Sequence, residues 1–287
     1  MNKKEKIFPY MLLAPSMIVI IFVLIIPLAH SVYCSLYKCD YMKFTEFVGL
    51  KNYIKAFTNP TYLQAFGRTF FFAFACLVIS LTLGIVFALW IHKHDGVMAY
   101  LIELLVLIPW VTSQVVGTLL WKWILSEDLG LFNYIVSYLG GTPLKLLSDP
   151  KIAQWTLIFV MSWRTIGYAM VNILAGLKGI PDSVEEAAIM DGATRFQVLR
   201  YVRLPLIKTS VLISAIILTL SNINNLTVPL SLTGGGPGTA TSVIMIPIYR
   251  LGFESYKFGL SSAMSVLLMI VTVALSIIYV KAAKYEI

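Results

Sequence analysis

Residues 181–205 read PDSVEEAAIMDGATRFQVLRYVRLP, a polar and charged stretch set between two long apolar runs. Ser183-Val184-Glu185-Glu186 has the form of a capping box, in which serine and glutamate side chains satisfy the free amides of a helix start. From there a short helix can run through Ala187, Ala188 and Met190 until Gly192, which permits a break or tight turn. Thr194-Arg195-Phe196-Gln197 has the form of a second box, and Phe196, Leu199 and Val202 follow at helical spacing up to Pro205. The expected element is helix–glycine–helix, with small alanines on one face. Two adjacent alanines beside a carboxylate suit a close fit into a groove of another protein. An amphipathic connector lying at a membrane interface would show the same pattern.

The flanking runs decide what surrounds this element. Of 287 residues, 59% are hydrophobic and 13% charged, and the mean hydropathy is +0.84. Water-soluble domains carry about 25% charged residues, so an ordinary soluble enzyme is excluded. Six apolar stretches are long enough to cross about 30 Å of hydrocarbon: 7–33, 69–91, 101–125, 152–177, 209–232 and 261–280. They lack the alternation of barrel strands, so lipid demands that they be helices. Pro15, Pro27, Pro109 and Pro229 lie within them or near their ends and are candidate kinks. The expected fold is an all-α membrane protein, a six-helix bundle forming one domain over 1–287, with 178–208 as its one long inner loop. The start MNKKEK resembles a signal peptide, but the run behind it is too long and lacks a cleavage site, so it reads as a retained first span.

Net charge is +8, yet no basic stripe with interleaved aromatics suggests nucleic acid. With the N-terminus inside, inner segments hold Lys3, Lys4, Lys6, Lys93, Lys178, Arg195, Arg200, Arg203, Lys208, Lys281 and Lys284. Outer segments hold Lys38, Lys43, Lys51, Lys55, Arg68, Lys145, Lys151, Arg250 and Lys257. The inner segments are much shorter in total, so charge density favours cytoplasmic N- and C-termini. Cys34, Cys39 and Cys76 form neither a CxxC pair nor a disulfide framework.

The 181–205 stretch resembles the EAA signature of permease subunits in ATP-binding-cassette importers. Glu186-Ala187-Ala188 is followed after three residues by Gly192, then by Val202, Leu204 and Pro205, and Asp191-Gly192-Ala193 matches the sugar-permease version. Phe47-Val48-Gly49-Leu50-Lys51-Asn52-Tyr53, Pro109-Trp110, Trp121-Lys122-Trp123, the run from Leu232 to Pro237 and Gly252-Phe253 through Gly259 extend the resemblance along the chain. Valine at 202, where isoleucine is common, is a departure. Together these are similar to the maltose and glycerol-phosphate permeases, the carbohydrate branch of type I, binding-protein-dependent importers. The resemblance implies that Glu186, Ala187, Ala188, Asp191, Gly192 and Phe196 belong to a coupling helix that docks on a cytoplasmic ATPase. It also implies a second permease, two ATPase copies that hold the ATP and Mg, an external solute-binding protein and a bacterial or archaeal cell membrane.

Other chemistry is thin. The glycine cluster 234–238 lacks the Lys-Ser/Thr of a phosphate loop and reads as a sharply turned loop. His92, His94 and Asp95 share one short loop, too few ligands in too little chain for a metal site. No catalytic residue, metal or cofactor is expected in this chain. Arg164 is the one ionisable residue deep in a span, and no intramembrane acid offers a proton relay. Tyr168 and Asn172 share its span, and Asn222, Asn224 and Asn225 sit in the fifth. Amides and aromatics suit sugars, whose hydroxyls need donor–acceptor pairs and whose C–H faces stack on rings. Hydrogen bonding between helices competes as the account of each residue; as a group, the asparagines read as pathway residues, with Asn222 and Asn225 sharing a face that Asn224 does not. The expected function is half of an alternating-access sugar pathway. The rival classes are an ion- or proton-coupled carrier acting alone and an assembly protein, and neither explains the 181–205 pattern.

Overall fold

The structure, a computed structural model, describes residues 3–284. The apolar runs are helices. Leu12–Ser35, Pro60–Lys93, Pro150–Lys178 and Phe258–Lys281 are each long and apolar enough to cross a membrane. Two bent pairs, Val97–Val111 with Gln114–Ile124 and Arg195–Leu206 with Lys208–Ile223, turn by 101° and 58°, and counting each pair as one span brings the total to six.

The proline positions account for much of the departure from straight helices. Pro27 and Pro205 have no N–H to offer the carbonyl four residues back. The helix answers in both cases just upstream, with one wide turn at Ile21–Ile25 and another at Leu199–Arg203. Each adds a residue to the turn without breaking the rod. At Pro109 the outcome is a break. Helix Val97–Val111 contains that proline, and Thr112 and Ser113 then take extended ψ values of 146° and 128° before Gln114 restarts the helix. The expected continuous third span is therefore a sharply bent pair. The expected fifth span, 209–232, is also discontinuous: the helix stops at Ile223 and resumes as Thr227–Leu232. The second begins at Pro60, nine residues before expectation, with Asn59 Oδ1 accepting the Thr61 N–H at 2.9 Å. Its 34 residues span about 51 Å at 1.5 Å each, more than the hydrocarbon needs.

The chain divides into two compact units, one made of the segments up to Leu63 and Pro247–Val271, the other of Gln64–Ile246 and the segment from Thr272. In the first unit, part of what reads as a plain outer loop is an antiparallel hairpin, Tyr37–Asp40 with Lys43–Phe47. Tyr41 and Met42 turn it with φ of 52° and 60°. Behind it, the FVGLKNY segment closes the end of the first span. Asn52 Nδ2 donates to the Ser35 and Tyr37 carbonyls at 2.8 and 3.0 Å, and the Tyr53 hydroxyl meets Ser35 Oγ at 2.6 Å. Asn52 thereby supplies a donor to the Ser35 carbonyl, which the helix end leaves without a partner in the helix.

In the second unit, helix Pro150–Lys178 is the post. Its neighbours come within backbone distance at small residues. A Cβ on Gly84 would lie 2.6 Å from Ala169 Cβ, one on Gly167 would lie 2.5 Å from the Val106 carbonyl, and one on Gly176 would collide with Ser210. Along the post the core fills in two clusters, one with Phe72, Leu157 and Met161 and one with Met170, Ile173 and Leu177. Ser80 and Thr165 hydroxyls pair across it at 2.7 Å, a polar contact of the kind that joins helices in lipid.

Candidate functional site

The 181–205 element forms as a helix, a glycine turn and a second helix. The first helix is Asp182–Met190, and its first turn departs from expectation. Pro181 holds the N-cap position and no side chain caps the helix. The Ser183–Glu186 box does not form, because the helix starts two residues early and places Ser183 inside it. Its C-terminus is closed by a Schellman motif. Ala193 N–H donates to the Ala188 carbonyl at 3.0 Å and Gly192 N–H to the Ile189 carbonyl at 2.9 Å, with Gly192 at φ +86°. The second box is present. Gln197 N–H donates to Thr194 Oγ at 3.4 Å, and Gln197 Oε1 accepts the Thr194 N–H at 2.7 Å.

This scaffold turns apolar side chains outward. Met190 is 87% exposed, Phe196 66% and Ile189 59%. Glu186, Ala187, Asp191 and Gly192 are exposed, and Ala188 is half-buried. A hollow of about 710 Å³ opens beside them, lined by Leu89, Lys93, Ile189, Phe196, Val198 and Leu199 among others. Large apolar side chains held in the open by two capped helix ends form a surface that gains from being covered.

Sequence reasoning missed what fastens the element. Arg203 donates from Nε to Glu185 Oε1 and from Nη2 to Glu185 Oε2, both at 2.6 Å. The two side chains are only 23% and 19% exposed. Hydrogen bonding to Arg203 holds the Glu185 carboxyl below its ordinary value, against burial, which pushes the other way. The signal was present as opposite charges on the two arms of a helix–glycine–helix element. The capping-box reading used Ser183 and Glu186 and left Glu185 without a task.

The polar span residues divide. Arg164, Tyr168 and Asn172 are half-buried on helix Pro150–Lys178. Among the described residues Arg164 Nε has no hydrogen-bond partner, and Asn172 donates to the Tyr168 carbonyl at 3.1 Å. Asn222 is 1% exposed, and neither Nδ2 nor Oδ1 has a partner among the described residues. Asn225 is buried and caps the next helix by accepting the Val228 N–H at 3.0 Å. Asn224 is exposed and donates to the Leu220 carbonyl at 2.9 Å. The helical-face argument for Asn222 and Asn225 does not carry through, because the helix ends at Ile223, between them. Around the break of the third span, Gln114 and Arg164 share the wall of a narrow cleft with Trp163 and Val228.

The glycine cluster is a tight turn, with Gly234, Gly235 and Gly238 at φ of 63°, 90° and 58°. It is held by Thr241, whose hydroxyl donates to the Gly236 carbonyl at 2.7 Å. Among the described residues, no three histidine, cysteine or acidic side chains come together as a metal site would require. All three cysteines are buried free thiols.

A model of the family described as binding-protein-dependent transport system inner membrane component matches residues 80–284, which include the whole exposed loop. The chain belongs to that family. As an inner membrane component it is the permease kind of subunit, and the self-sufficient ion-coupled carrier is set aside. Three of its relatives are similar over more than nine-tenths of their length. The trehalose/maltose transport system permease protein MalF of Thermococcus litoralis is 29% identical, with 99% of this chain and 96% of that one aligned. The osmoprotective compounds uptake permease protein GgtC of a Synechocystis strain is 30% identical, over 96% and 99%. The sn-glycerol-3-phosphate transport system permease protein UgpA of Pectobacterium atrosepticum is 28% identical, over 94% and 92%. Among solved structures, a chain of a bacterial alginate ABC transporter in complex with a periplasmic protein superposes with a TM-score of 0.84 at 21% identity, covering 96% of this chain and 93% of that one. That likeness fixes the fold, which is the type I ABC importer permease fold expected from the sequence.

Proposed function

We propose that this inner membrane component forms half of the pathway of an ATP-driven importer for a carbohydrate or related polyol. In this reading the 1–287 chain acts as one permease domain, pairs with a second permease, and rests on two copies of a cytoplasmic ATPase subunit. ATP and Mg are bound on those subunits, and this chain catalyses nothing. A solute-binding protein delivers the substrate on the other side, and both termini face the cytoplasm.

The observation that carries the reading is the capped loop with Ile189, Met190 and Phe196 held outward. Its two helix ends at the turn are closed by their own hydrogen bonds, and its exposed apolar side chains suit a groove. The names of the trehalose/maltose and glycerol-phosphate relatives support the carbohydrate class. Among the polar span residues, Arg164, Tyr168, Asn172 and Asn224 keep accessible surface and are proposed to line the pathway. Asn222 and Asn225 shape the break beside them. Alternating access then requires the two permease conformations to bind the ATPase states differently.

The test is uptake by the complete complex in proteoliposomes, with maltose, trehalose and glycerol phosphate as labelled probes. Uptake should require ATP, the ATPase subunit and the binding protein. Uptake that persists without the ATPase and collapses with a protonophore would overturn the reading.

A further inference from the structure

We propose that the Glu185–Arg203 ion pair is a tie that makes helix Asp182–Met190 and the entry to the fifth-span helix Lys208–Ile223 move as one body. The inference rests on the coupling reading of the loop and gives two side chains outside the resembling motif a positioning role in it.

The need for such a tie arises from the loop itself. Between the exposed helix and the span lie a turn at Gly192 with φ +86°, a one-residue expansion at Leu199–Arg203 and a 58° bend at Ile207. Each is a place where a displacement of the first helix can be absorbed before it reaches the span. A link from Glu185 to Arg203 bypasses the first two. Two parallel hydrogen bonds at 2.6 Å fix orientation as well as distance, since a guanidinium and a carboxylate meet as planar forks.

The expansion itself bears on the link. Pro205 cannot donate to the carbonyl four residues back, and the added residue rotates the downstream chain by roughly 100° relative to an unbroken helix. Arg203 is the last residue of that expanded turn, so the proline that opens the span also sets the direction in which Arg203 leaves it. The pair is mostly withdrawn from water, unlike solvated surface pairs that contribute little. Other charges near Glu185 are His92, which acts on its carboxyl, and Lys93 and Arg195 on the wall of the same hollow.

The experiment uses the whole importer complex in proteoliposomes and needs no solute. Because the native cysteines are buried, an Asn224→Cys reporter can be labelled by a thiol reagent beyond the far end of the fifth-span helix. Trapping the ATPase with ATP and vanadate should change its labelling rate about fivefold, the low end of ordinary coupling between sites. Glu185→Gln and Arg203→Gln should each remove most of that change while basal ATP hydrolysis persists. The exchange Glu185→Arg with Arg203→Glu should restore it, which a merely disrupted loop would not allow. An unaltered response in either single variant, or a failed rescue by the exchange, overturns the tie. Should the single variants fail to assemble, restored assembly and response in the exchange upholds it and a failure of the exchange overturns it. Met190→Cys crosslinking to the ATPase reports on the coupling reading separately. No crosslink defeats that reading, whereas a crosslink with normal response in Glu185→Gln defeats only the tie.

Discussion

At the scale of single residues, backbone conformation and hydrogen-bond accounting matter more here than chemistry. Gly192 stands at φ +86° with nothing within 4 Å of where a Cβ would sit, so any side chain there meets strain and no clash. Gly192→Val should cost about 1–2 kcal/mol, the penalty of the left-handed region for an L residue. That is enough to undo the Schellman turn. The variant should insert and co-purify with its partners while ATP-driven uptake falls at least several-fold, and normal uptake would remove the coupling role from this turn. Asn52 is a case of accounting. Its amide serves two carbonyls, of Ser35 and Tyr37, at the end of the first span. Asn52→Ala should destabilise the first unit by about 1–3 kcal/mol, the range for leaving buried acceptors without a donor. A lowered thermal midpoint of the purified chain in detergent would show it. Asn222 is the opposite case, a buried amide with no partner at either atom among the described residues, and buried polar groups seldom remain so.

At the scale of elements, the helices meet where glycine lets them. Gly67 and Gly167 are both helical, but a Cβ on Gly67 meets nothing within 4 Å, while one on Gly167 would lie 2.5 Å from the Val106 carbonyl. Gly67→Ala should therefore stabilise by about 0.5–1 kcal/mol through helix propensity. Gly167→Ala should destabilise by about 1–3 kcal/mol, because backbone has to yield. Thermal unfolding of the two variants side by side reads the difference, and equal shifts would contradict the close crossing. The same scale shows how far the sequence could be read. Hydropathy placed all six apolar runs on helices, because lipid leaves the backbone few alternatives. The second capping box formed at Thr194, since both partners lie within four residues of each other. The breaks at 112–113 and 224–226 were not legible. Pro109 announced a disturbance, but whether a proline yields a wide turn, as Pro27 does, or a 101° bend depends on what packs against the helix. The hairpin was hidden for a related reason: Tyr41 and Met42 take positive φ without a glycine to mark the turn. At the candidate site the motif residues were legible and their fastening was not. Glu185 and Arg203 are 18 positions apart, and only the fold brings them together.

At the scale of the whole molecule, orientation is the property that charge predicts and a labelling experiment decides. Tyr138 is 83% exposed in the segment after the third span, and Met190 is 87% exposed on the coupling loop. With cytoplasmic termini, Tyr138→Cys should react with an impermeant thiol reagent in intact cells and Met190→Cys only in inverted membranes. The reverse pattern would invert the topology, and with it the side on which an ATPase could dock. The first span adds a point of a different kind. Its apolar window buries none of its residues inside the chain, so along that window no residue depends on later chain to cover it. During synthesis this helix leaves the ribosome ahead of the spans that follow it and can be released into the bilayer before they exist. Only its last turn waits, since Ser35 meets Asn52 and Tyr53 when some seventeen further residues have emerged.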